Sequence, residues 1–95
     1  MLNYTITKEA EKELRGLAYH IADLNHFLER YGAEDPDHAL FKENVEHHFS
    51  RLDALQIPFA LQNAVICYAE NWRRYLTGDM IKTLFERGYN VTVEE

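Results

Sequence analysis

The chain has 95 residues, 46% apolar and 13% aromatic, with 16 acidic against 10 basic side chains and a net charge of −6. One domain over residues 1–95 is what that length allows, with a folded surface of roughly 5,700 Å² and room for a core without metal or disulfide. The acidic balance disfavours nucleic acid and anionic membrane as partners, the lone Cys67 excludes an intrachain disulfide, and no apolar run approaches the ~20 residues of a membrane span.

Leu2, Tyr4 and Ile6 alternate with Asn3, Thr5 and Thr7, the period-two pattern of a short half-buried strand. Thr7 then offers an N-cap, with Glu9 and Glu11 in the favourable first turn of a helix over 8–31 that Gly32 stops. Its apolar stripe is Ala10, Leu14, Leu17, Ala18, Ile21, Leu24, Leu28 and Tyr31, which leaves Tyr19 on the polar side. Asp35-Pro36 marks a second start, predicting a helix over 36–55 with Phe41, Val45, His48, Phe49, Leu52 and Leu55 inward.

Ile57-Pro58 forces a boundary, and a third helix is predicted over 58–76. Its stripe is Leu61, Ala64, Val65, Tyr68, Ala69, Trp72, Tyr75 and Leu76. The first half also carries Phe59, Ala60, Ile66 and Cys67 on the other side, so it is expected to be surrounded, as a central helix or a subunit contact. Thr77-Gly78-Asp79 breaks the chain and caps a short fourth helix over 79–87, and Tyr89, Val91 and Val93 close it with strand-like alternation. The expected fold is mainly α: a compact antiparallel helical bundle of three long helices plus a short fourth, with terminal strands placed to pair with each other or with a partner subunit.

Motifs for catalysis are thin. Glu43 and His47, Glu34 and His38, Asp23 and His26, and Asp35 and His38 have spacings that can put two ligands on one helix face. The Glu-x-x-His pairs of di-iron bundles and the His-Glu-x-x-His motif are missing, so these read as ordinary surface pairs and no metal or cofactor is assigned. The single serine, Ser50, has no glycine elbow, and Cys67 reads as a small buried thiol. Arg15 and His20 share the Arg-x4-His spacing of some helical ribonucleases, a spacing too common by chance to carry weight.

His48 sits inside an apolar stripe, and Asn25 lies beside another. Each reads as a buried polar group that finds a hydrogen-bond partner, spacing allows the two to meet, and a pH-sensitive role is open to the histidine. Whether His38, His47 and His48 converge is left open by spacing alone. Surplus apolar and aromatic side chains, Phe59, Ile66, Tyr19 and Trp72, fit either an interface or a core that uses them all.

The function expected first is therefore a non-enzymatic protein-interaction or regulatory module, a cytoplasmic homodimer held through 58–76. The alternative is a nucleic-acid-binding regulator using Arg73, Arg74, Lys82 and Arg87 on helices 58–76 and 79–87, with an acidic inhibitor or mimic as a variant. A small histidine-dependent enzyme, with His48 working beside Asn25 or a carboxylate, ranks last.

Overall fold

Leu2, Tyr4 and Ile6 form one face of β1 (Leu2–Thr7), and Tyr89, Val91 and Val93 one face of β2 (Tyr89–Glu94), in a computed structural model that describes residues 1–94. The strands pair parallel, Tyr4 beside Val91 and Ile6 beside Val93, so their apolar faces coincide and Ile6 and Val91 enter the core. Parallel pairing needs a long crossover, and here every helix lies within it. On the outer face Asn90 Nδ2 donates to Asn3 Oδ1 at 2.9 Å.

Five helices lie between the strands among the described residues: α1 (Lys8–Tyr31), α2 (His38–Ala54), α3 (Phe59–Ala69), α4 (Trp72–Thr77) and α5 (Met80–Glu86). The Thr7 hydroxyl caps α1 by accepting from Ala10 N, and Gly32 ends it at φ 84°. Asp35-Pro36 makes an i to i+3 turn, in which His38 N donates to Asp35 O, so α2 begins two residues later than predicted.

The predicted helix over 58–76 is two helices. Asn71 takes an extended conformation, and its side-chain oxygen accepts from Arg73 N at 3.0 Å and from Arg74 N at 3.4 Å. It therefore caps a new helix rather than continuing the old one. Asn25 Nδ2 supports the break by donating to Glu70 O at 2.9 Å, so Asn25 is no partner of His48. The contact between them that spacing allowed does not form: His48 pairs with Glu13 instead.

The core gathers Leu14, Leu17, Ala18 and Ile21 from α1, Val45 and Leu52 from α2, Leu61, Val65, Tyr68 and Ala69 from α3, and Met80 and Leu84 from α5. The first half of the predicted third helix is not surrounded by its own chain, so it is not the central helix of the domain. Phe59 is 72% exposed and Cys67 is exposed, while Ile66 is half-buried against the core. Residues 61, 64, 65, 68 and 69 claim one arc of α3, and 59 and 67 fall outside it. Phe59→Ser is accordingly expected to change unfolding free energy by no more than about 0.5 kcal/mol in urea melts; a loss of several times that would show Phe59 covered.

The molecule exposes 6117 Å², slightly more than size scaling gives, in keeping with extents of 40 × 27 × 20 Å. No helix among the described residues is long and apolar enough to cross a membrane.

Candidate functional site

Two features stand out on α1, one polar and one aromatic. The polar one begins with Glu13, a carboxylate only 9% exposed. It lies against α2, where His48 Nδ1 donates to its Oε2 at 2.9 Å and Arg51 Nε reaches its Oε1 at 3.0 Å. Both carboxylate oxygens are thus occupied, as a buried charge requires.

The absence of a side chain at Gly16 makes this possible, because a Cβ there would sit 2.5 Å from His48 Cε1. The His20 ring stacks on His48 at 4.9 Å and 27°, and His47 meets His48 edge-on at 5.7 Å. His38 lies one and a half nanometres away along α2, at about 1.5 Å per residue. The histidines brought together are therefore His20, His47 and His48. Stacked rings present faces rather than lone pairs to each other, and among the described residues no three ligating side chains could hold a metal ion.

Burial pushes the Glu13 carboxyl up, but the His48 hydrogen bond and the charges of Arg51, His48 and His47 outweigh it, and the net direction is down. His20 is held below its ordinary value by burial, by His48 and by His47, against an opposing pull from Asp23. Its Nδ1 is buried without a partner. An unfolded histidine takes its proton near pH 6.5, so below that the unfolded chain binds more protons than the folded one and stability falls, until the folded value is passed. Glu13 acts in the same sense at lower pH: its contribution, present above the unfolded value near 4.5, is lost on descending through the folded value.

Urea midpoints are therefore expected to fall as pH drops from about 6.5 to 5, and His20→Phe is expected to flatten that decline. An equal decline in the variant would assign it elsewhere.

The aromatic feature runs along the outer side of α1. His26 stacks on Trp72 at 4.1 Å, Tyr19 meets Tyr75 edge-on at 6.4 Å, and Phe27 stacks on Phe41 at 4.4 Å. Two shallow hollows of about 80 and 120 Å³ lie along this seam and share Asp23 and His26. The Trp72 indole is held rather than loose. Its Nε1 donates to Glu29 Oε2 at 2.8 Å, Arg73 donates to Glu29 Oε1 at 2.7 Å, and the Arg73 guanidinium lies 4.6 Å from the indole ring centre. Those two hydrogen bonds, Trp72 first, hold the Glu29 carboxyl below its ordinary value. Leu76 and Tyr19 remain 70% and 52% exposed beside it.

Tyr19 and Trp72 are thus brought onto one surface, while Phe59 and Ile66 lie on α3 and form no part of these hollows. Of the basic residues considered for nucleic acid, Arg73 is engaged by Glu29. Asp79 caps α5 by accepting from Lys82 N, which puts a carboxylate at the end of the helix that would meet base edges.

No protein-family model matches the chain, and no curated protein or solved structure matches it at a significant level.

Proposed function

We propose that this protein is a small non-enzymatic interaction module that self-associates through the aromatic seam of α1 and α4. The observation that carries the reading is the convergence of Tyr19, His26, Trp72, Tyr75 and Leu76 from two helices onto one partly exposed apolar surface. Tryptophan, tyrosine and arginine are the residues that dominate binding energy at protein interfaces. Charge supports a second copy as the occupant. The chain as a whole is acidic, yet the seam carries Asp23 and Glu29 together with Arg30 and Arg73. A two-fold contact presents the same patch on both sides, so mixed signs can complement themselves where a uniformly acidic face would repel.

The scaffold is read as an antiparallel pack of the longer helices, with Phe27–Phe41 and Glu13–His48 as successive contacts between α1 and α2. An exposed, single Cys67 suits a reducing cytoplasmic setting.

Trp72 is the only tryptophan, so its emission reports on this surface alone. Raising the concentration from about 1 to 100 μM should shift that emission to the blue while the mass by light scattering rises towards twice 11.2 kDa. Unchanged emission at a mass of 11.2 kDa would remove the self-association.

A further inference from the structure

A cavity of about 420 Å³ opens where α1, α3 and the turn between α4 and α5 meet, lined by Arg15, Tyr68, Tyr75, Gly78, Asp79 and Met80 together with Leu76. That volume falls in the range of small-molecule sites. Tyr68 is 1% exposed, and its hydroxyl is directed at the cavity wall formed by Gly78. A Cβ built at Gly78 would lie 3.3 Å from that hydroxyl and 2.9 Å from Arg74 O, so any side chain there would crowd the space.

The polar groups around this hydroxyl have spare capacity. Among the described residues the Tyr68 hydroxyl has no hydrogen-bond partner. The hydroxyl is not sealed inside the protein but faces the open cavity, where water or a ligand can take its hydrogen bond. Burial raises the Tyr68 phenol, with Tyr75 and Asp79 acting in the same sense and Arg15 opposing, so it stays protonated as a donor. Arg15 has its nearest carboxylate, Glu11, at 3.7 Å, too long for a good hydrogen bond. Asp79 spends Oδ1 on Lys82 N and keeps a second oxygen. One cation held only by a long ion pair to Glu11, one neutral donor and one free carboxylate oxygen therefore line the same space, beside the apolar Leu76 and Met80.

We propose that this cavity binds a small zwitterion, an α-amino acid with an apolar side chain. Arg15 and the Tyr68 hydroxyl take the carboxylate, Asp79 takes the ammonium group, and Tyr75, Leu76 and Met80 face the side chain. The pairing is selective because a simple anion meets Asp79 and a simple cation meets Arg15.

The test is a titration of the isotope-labelled protein with L-leucine and L-phenylalanine, followed by amide chemical shifts, with acetate and ethylammonium as half-ligand controls. Saturable shifts are expected at Gly78, Asp79 and Met80, with a Kd of about 1 mM for the amino acids and none for the controls. Tyr68→Phe removes a hydroxyl that the protein does not use, and Asp79→Asn keeps a competent helix cap. Each should keep the wild-type melting temperature and weaken binding about tenfold. No saturation by about 20 mM overturns the proposal. So does acetate binding as tightly as leucine, or either variant binding as tightly as the wild type.

Discussion

Gly16→Ala is expected to destabilise the protein by about 1–3 kcal/mol, the cost of forcing a methyl group into a closed contact. At an open helical position the same change would stabilise by up to about 1 kcal/mol. Geometry decides between the two signs. The new Cβ would meet His48 Cε1 at 2.5 Å, Nε2 at 3.0 Å and Nδ1 at 3.1 Å, so the clash is with the body of a ring, not with the tip of a flexible chain. That ring has little freedom to give way, being fixed to Glu13 at 2.9 Å and held between His20 and His47. If it moves, Glu13 keeps only Arg51. Urea melts of Gly16→Ala, with and without His48→Ala, measure this directly, because the penalty should vanish once the ring is gone. A stabilised Gly16→Ala would show that the histidine yields freely.

Trp72→Ala is expected to weaken self-association by about 30-fold or more, the loss typical of a central tryptophan hot spot. The indole is fixed in advance by the Glu29 hydrogen bond, the Arg73 guanidinium and the His26 stack, so little conformational freedom is lost when a partner covers it. Circular dichroism on the same sample shows whether the variant is folded, and mass measured over a dilution series gives the loss. Retained association by a folded variant would move the contact elsewhere on the molecule.

Much of the fold was legible because local signals agreed with it. The terminal alternation predicted both strands, and Thr7, Gly32 and Asp79 marked helix ends where caps are found. The break at Asn71 was hidden because Tyr68, Trp72 and Tyr75 keep helical spacing across it, so periodicity saw one helix where capping made two. For a related reason the second ridge of α3 fits either a central helix or a subunit contact, and spacing does not choose between them. Apolar content on two sides suggested a surrounded helix, but the domain covers only one arc, and Phe59 and Cys67 stay outside it.

The polar cluster was only half visible. His48 announced itself inside an apolar stripe, whereas its partner Glu13 stands among Ala10, Leu14 and Leu17 with nothing local to distinguish it from a solvated charge. A signal was present in Gly16, since glycine inside a helix carries a cost that a close approach can justify. Likewise, Tyr19 and Trp72 could be singled out as surplus aromatics, but their convergence depends on α4 folding back against α1, which spacing does not encode.

We propose that the α1 and α4 seam joins two copies of this chain. Sedimentation equilibrium of the wild type beside Trp72→Ala, over about 1–100 μM, decides it. A wild type that passes from monomer to dimer beside a variant that stays monomeric is the predicted result, and a wild type that remains monomeric throughout, or a folded variant that dimerises equally well, contradicts it.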